Sequence, residues 1–403
     1  MPTQDFTALH TAMKSQVDQQ FLPGVSTVLL QGRKVVDTFC YGHADKEAGI
    51  ALREDHIFRM FSNTKLLTSL AVLLLMEEGK LKLSDPVEAY IPALGKRQVL
   101  RAGATRLDDT EPAKTPITLQ HLMTHTSGLS YGVFDPGALL FNAYNATGVL
   151  NPTTPLAEMM KVLAPLPLAF QPGTQWEYSV ATDVLGHVVE IVSGESFGAF
   201  LSRRIFGPLG MLDTDFWVPE SKRDRFCALY EGVDLLDPTK PGLKRLDDKP
   251  FPGAYLHKMP RESGGGGLVS TLNDTVRLMQ SLMPGDASAG PMLLKPETMD
   301  LMCRNHLPEG MCVRFPNVPH TPGRCFGLGS SFTTSAAAYE PAEVVGEVGW
   351  GGLAGTIWWI NPRLNIAGVL MTQRYFGFGN PYTFAFKKTA YRGLGYLVGV
   401  NFD

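Results

Sequence analysis

Ser62 and Lys65, in the run Ser62-Asn63-Thr64-Lys65, are the pair in this chain best spaced to do chemistry together. A serine hydroxyl alone is a poor nucleophile and needs a neighbouring base to take its proton. Leu66, Leu67, Leu70, Leu73 and Leu74 recur at three- and four-residue intervals up to Gly79, which predicts a helix that starts near Ser62 and is capped by Gly79. Side chains three apart on a helix approach within about 5–6 Å at Cβ, so the Lys65 ammonium can fold back onto the Ser62 hydroxyl. The helix start adds N–H groups without intrahelical partners, which suit a developing oxyanion. Ser-x-x-Lys is a common pattern and often marks only a solvated helix start. Here the lysine runs straight into Leu66-Leu67 and a stretch without charge until Glu77. It is expected to point inward, and a buried lysine needs a reason.

A third chemical group follows in Pro172-Gly173-Thr174-Gln175-Trp176-Glu177-Tyr178-Ser179-Val180, where a turn delivers Tyr178 just before an apolar helix around Leu185 to Val192. A lysine cation beside a tyrosine favours the phenolate and fits the residue to act as a general base. A tyrosine in isolation is more often core packing. Two other serines match Gly-x-Ser-x-Gly, the strand-turn-helix nucleophile pattern, at Gly128-Leu129-Ser130-Tyr131-Gly132 and Gly194-Glu195-Ser196-Phe197-Gly198. Each follows a helical segment, Leu119–Thr126 and Val184–Val192, so both glycines are expected to be helix C-caps and both serines non-catalytic. His121 and His125 lie four apart, but no Glu-x-x partner accompanies them. A capping or core role is expected, and no metal site.

The elements that must position these groups can be read from the rest of the chain. With 403 residues, 44% of them hydrophobic, there is ample material for a large core. A formal net charge of −3 gives no basic footprint for nucleic acid or an anionic membrane surface. Residues 1–20 lack a signal-type apolar core, and the longest apolar run, Leu70 to Met76, is far short of a membrane span. The expectation is a soluble, cytoplasmic protein. Five cysteines without a Cys-x-x-Cys pair indicate neither a zinc cluster nor a disulfide framework. Val25–Leu30 and Lys34–Tyr41 read as strands joined at Gln31-Gly32-Arg33, and Val344–Val348, Gly355–Ile360 and Ile366–Met371 read as strands near the other end. A closing helix is expected over Thr383–Val398. The fold class is therefore α+β: one antiparallel sheet built from both termini and flanked by helices, a mainly helical region inserted, and a cleft where they meet.

Five segments in order carry a resemblance: Ser62–Lys65, His121 to Leu129, Pro172-Gly173 leading to Tyr178-Ser179-Val180, Gly265-Gly266-Gly267-Leu268-Val269-Ser270-Thr271, and Trp350-Gly351-Gly352. Together they resemble the serine β-lactamase and penicillin-binding-protein superfamily. The tyrosine-type second motif is similar to class C β-lactamases, and Trp-Gly-Gly in the third position is similar to family VIII carboxylesterases. The resemblance implies one catalytic unit over residues 10–395, with 10–60 and 260–395 forming an α/β part and 61–259 a mainly helical part. It implies Ser62 as acylated nucleophile, Lys65 as proton relay, Tyr178 as base, and the N–H groups of Ser62 and Leu353 as oxyanion hole.

Two departures from the lactamase pattern bear on substrate. Val180 stands where class C enzymes carry an asparagine, and Trp350 stands where they carry a lysine. A charge-assisted hydrogen bond to a substrate carboxylate contributes roughly 1.5–3 kcal/mol, so losing the cation weakens selection for penicillin-like acids. Trp350, Gly351, Gly352 and Val180 are expected to contact substrate. So are Tyr131, Phe134, Phe141 and Phe376, among a set of apolar loop residues that also includes Leu139, Leu140, Tyr144, Tyr375 and Phe378. The expected activity is that of a cofactor-free serine carboxylesterase acting on neutral, short-acyl esters, with no nucleic-acid or membrane partner. A β-lactamase or D-Ala-type peptidase, and an acyltransferase, remain the alternatives; oligomeric state is not legible.

Overall fold

A computed structural model describes all residues except 1–3, 236, 317–320, 339, 378 and 397–403. Phe378 and the last residues of the expected closing helix thus lie outside the described residues. Eight antiparallel strands form the main sheet, in the order Arg324–Phe326, Ser331–Thr333, Val348–Gly351, Ile357–Asn361, Ile366–Met371, Gly24–Gln31, Lys34–Asp45, Ile50–Ala51. The two ends of the chain meet where Gly24–Gln31 pairs with Ile366–Met371 in the register Val28↔Val369. Both of these central strands are buried on both faces, which is why they read as continuous apolar runs.

Alternation along the strands sorts side chains to two cores. Val25, Leu29, Trp359 and Leu370 face the helices Thr7–Asp18 and Pro381–Gly393. Val28, Trp358, Ile360 and Val369 face the large helical core. At the centre of that core, helix Thr64–Glu77 is buried from Thr64 to Leu75, as an apolar sequence without a polar face requires. Among the described residues no single helix is long and apolar enough to cross a membrane.

Several expected elements shift. The strand expected over Val344–Val348 begins only at Val348, because Ala342–Val344 is a 3-10 turn and Glu347 N donates back to Val344 O at 2.9 Å. The closing helix runs over Pro381–Gly393, with proline at its first turn and a left-handed glycine, Gly395, just beyond its end. The helix after Leu119 ends at Met123, so Gly128 is not its cap. Gly128 sits in the following loop with φ +83°, where a Cβ would lie 2.4 Å from the Phe170 carbonyl oxygen. Gly194 does cap its helix, Ala181–Ser193, in the left-handed conformation.

Candidate active site

The nucleophile segment is held between two structures. Strand Ile57–Arg59 pairs antiparallel with Val269–Thr271, and Met60 N donates to Leu268 O at 3.0 Å. One 3-10 turn, Phe61–Asn63, then leads into helix Thr64–Glu77. Ser62 therefore stands at a helix start, as its spacing predicts, with a 3-10 turn as the entry. Phe61 has φ +44°, a strained conformation for a side chain of that size.

Lys65 is 1% exposed. Its ammonium donates to Gly265 O at 2.6 Å and to Ser62 Oγ at 3.4 Å, and lies over the rings of Tyr178 and Tyr131, 4.6 and 5.3 Å from their centroids. The carbonyl of Gly265 is aimed at the lysine by Asp183, in the first turn of helix Ala181–Ser193. Asp183 Oδ1 accepts from Gly265 N at 3.3 Å and from Ser263 Oγ at 2.6 Å. A Cβ at Gly265 would lie 2.6 Å from Asp183 Oδ2, so any side chain there would have to displace that carboxylate. Asp183 gave no signal in the sequence beyond an acidic residue at a helix start.

Tyr178 is packed in an aromatic cluster with Trp176, Phe326, Phe134, Phe315 and Trp350. Its phenolic oxygen accepts the indole N–H of Trp350 at 3.1 Å. Behind it lies His125, fully buried and in a left-handed backbone conformation (φ +56°), its ring 4.8 Å from that of Tyr178. Ser179 N–H reaches His125 Nδ1 at 3.3 Å and Ser179 Oγ lies 3.0 Å from it, which makes Nδ1 the acceptor and leaves the ring proton on Nε2. Burial, reinforced by the Lys65 charge, holds His125 well below the ordinary histidine range, so the ring is neutral. His121 instead completes a capping box with Thr118. Among the described residues no group of three or more His, Cys, Asp or Glu side chains could hold a metal ion.

A cleft of about 160 Å³ is lined by Ser62, Phe134, Tyr178, Phe315, Trp350, Gly351 and Leu353. None of these side chains carries a charge. Tyr131 borders it, its ring 5.8 Å from Phe134 and 5.5 Å from Tyr178. Burial next to Asp183 pushes the Tyr131 hydroxyl far above the ordinary tyrosine range. Besides Tyr131, four expected substrate contacts do not line the cleft. Val180 is fully buried in the core as the N-cap residue of helix Ala181–Ser193. Gly352 turns inward against Met60. Phe141 lies on helix Leu139–Thr147, and Phe376 is 38% exposed against Tyr375. Phe315 is the member of the cleft lining that motif spacing did not single out.

Residues 9–387 match the Beta-lactamase family. The chain belongs to that family. It is a serine hydrolase with the beta-lactamase-like fold of ester-cleaving and acyl-transferring relatives. Esterase EstB of Burkholderia gladioli is 31% identical over 387 residues, which cover 92% of this chain and 91% of EstB. Acyltransferase calJ of Penicillium decumbens is 31% identical over 348 residues, covering 82% and 78% of the two chains. The solved structure of EstCE1, a hydrolase with promiscuous acyltransferase activity, superposes with a TM-score of 0.80 at 24% identity, covering 95% of this chain and 97% of its own, a likeness of fold.

Proposed function

We propose that this serine hydrolase is a carboxylesterase that cleaves neutral esters with short acyl groups through an acyl-enzyme on Ser62. The observation that carries this reading is the cleft: an uncharged, aromatic-walled space that ends on Ser62. Its volume of about 160 Å³ is below the roughly 300 Å³ at which pockets begin to hold drug-sized ligands, which favours a small acyl group. The similarity to an esterase supports the same choice.

In the proposed mechanism the Tyr178 oxygen, held beside the Lys65 ammonium, takes the Ser62 proton as Oγ attacks the ester carbonyl. The tetrahedral oxygen receives the N–H groups of Ser62 and Leu353. Leu353 is the second residue of the Gly352–Gly355 turn, whose hydrogen bond is donated by Gly355 N to Gly352 O at 2.9 Å, so the turn does not use the Leu353 N–H. The proton passes to the departing alkoxide, and water, activated by the same pair, releases the acid. The Trp350 N–H stabilises the negative charge that returns to the Tyr178 oxygen when it gives the proton to the alkoxide.

Acyl transfer to an alcohol is the second reading, favoured by apolar walls that disfavour water and by the similarity to an acyltransferase. A panel of p-nitrophenyl esters from acetate to palmitate, run beside a chromogenic cephalosporin and repeated with added alcohols, tests both. Acetate and butyrate are expected to turn over fastest, with the cephalosporin slow. Cephalosporin turnover equal to that of the esters would defeat the reading, and transesterified ester as the main product would replace it with the second.

A further inference from the structure

The two proposed oxyanion donors come from distant parts of the chain: Ser62 from a helix start, Leu353 from a turn at the end of strand Val348–Gly351. An oxyanion hole works only if its donors hold a fixed spacing, so something must tie these segments together. We propose that Asn63 and Thr356 are positioning residues that set this spacing. The inference rests on the Ser62 acyl-enzyme reading and adds to it the residues that hold its geometry.

Asn63 Nδ2 donates to Thr356 Oγ1 at 2.9 Å across a sequence separation of 293 residues. Both residues are buried. Each is fastened to its own segment: Asn63 N donates to Met60 O at 3.1 Å, and Gly352 N donates to Thr356 O at 2.7 Å. The two segments also meet directly. A Cβ on Gly352 would lie 2.3 Å from Met60 O and 2.6 Å from Thr356 Oγ1, so the turn that carries Leu353 abuts the carbonyl that anchors Asn63. Four groups thus close a loop of contacts beneath the oxyanion site. Neither Asn63 nor Thr356 lines the cleft, so they act through Ser62 and Leu353 and not on substrate. A displacement of about 1 Å in such a site can cost a hundredfold in rate.

The decisive variants are Thr356→Val, which keeps the shape and removes the acceptor, Thr356→Ser, which keeps the acceptor, and Asn63→Ala. On p-nitrophenyl acetate, Thr356→Val and Asn63→Ala should each lower kcat by roughly tenfold to a hundredfold with little change in KM. The double variant should lose no more than the worse single one, because both delete one tie. Thr356→Ser should recover most of the rate. Affinity for phenylboronic acid, which forms a tetrahedral adduct on a serine oxygen, should fall in step with kcat, whereas general destabilisation moves the melting temperature without that parallel. If Asn63→Ala does not fold, the Thr356→Val and Thr356→Ser pair decides alone. A fluorophosphonate label mapped to a residue other than Ser62 in the wild type overturns this proposal together with the acyl-enzyme reading. A label on Ser62, with wild-type kcat and boronic acid affinity in Thr356→Val, overturns the tie alone, as does an equal loss in Thr356→Ser and Thr356→Val.

Discussion

Trp350 donates its indole N–H to the phenolic oxygen of Tyr178 across 3.1 Å, with the two ring centroids 5.3 Å apart. The single polar atom of the tryptophan is therefore engaged with the proposed base and presents only its ring to the cleft. A lysine at this position would place a full charge among uncharged walls, where it attracts substrate carboxylates. Substrate class and the placing of Tyr178 are thus coupled through one side chain. Trp350→Phe keeps the apolar wall and deletes the donor, and is expected to lower ester kcat by about tenfold, the scale of one hydrogen bond. Trp350→Lys should lower ester kcat/KM further and gain only slightly on an anionic cephalosporin. Steady-state constants for one ester and one cephalosporin in the three proteins check this; unchanged ester kcat in Trp350→Phe would show that the indole N–H has no part in the reaction.

Gly352 is expected to tolerate no side chain. A Cβ there meets Met60 O and Thr356 Oγ1 well inside contact distance, and neither can retreat, one being backbone and the other fully buried. At the neighbouring Gly351 the nearest atom is Ile357 Cγ2 at 3.1 Å, which can yield slightly. Gly352→Ala should cost at least about a hundredfold in kcat, as expected for a misplaced oxyanion donor, and Gly351→Ala much less. Comparable losses in the two variants would argue against a special approach at Gly352.

Replacing Ser62 by alanine is expected to abolish ester hydrolysis, and Ser130→Ala and Ser196→Ala to leave most of it. Ser196 accepts the Ala199 N–H at 3.2 Å as an N-cap, so its loss should appear as about 1 kcal/mol of stability, not as rate. Lys65→Ala and Tyr178→Phe should each cost several orders of magnitude and combine non-additively with each other, because they handle one proton. Retention of more than about a tenth of the rate in Tyr178→Phe, a loss near 1.4 kcal/mol at most, would remove the tyrosine from the base role.

What the sequence made legible was what repeats or stands in a fixed order. The run Leu66 to Leu75 shows its helix by period, Ile366–Met371 shows a doubly buried strand by its apolar continuity, and the order of Ser62, Tyr178 and Trp350 shows a shared site. What stayed hidden depends on approach in space. Val180 was expected to meet substrate because of its place in a motif, yet the helix it caps turns its side chain into the core. The aiming of Gly265 by Asp183 and the Asn63–Thr356 bond join residues far apart in sequence, and no periodicity records such contacts. Strand ends moved for a similar reason. Val344 and Val348 look alike as residues, and only the turn at Gly346 (φ +90°) separates them.

Glu177, immediately before Tyr178, is expected to set a pH dependence of stability. Burial pushes its carboxyl up to about 7, opposed by a hydrogen bond from Ser130 and assisted by the nearby charge of Asp135. The unfolded chain titrates near the ordinary glutamate value of about 4.3. Between these two values the folded protein holds a proton that the unfolded chain has released, so this residue's contribution is fully present below the unfolded value and is lost as pH rises through about 7. His125 works in the opposite direction, since its buried neutral ring cannot take the proton that the unfolded chain binds in acid. A comparison of wild type with Glu177→Gln cancels the histidine, which both proteins share. The glutamine keeps an oxygen to accept from Ser130 and has no charge to desolvate. Thermal unfolding of the two proteins should therefore give similar melting temperatures near about pH 4 and a higher one for the variant near about pH 8, with the gap opening through the interval between. A gap that stays constant across this range would show that Glu177 does not titrate with the fold.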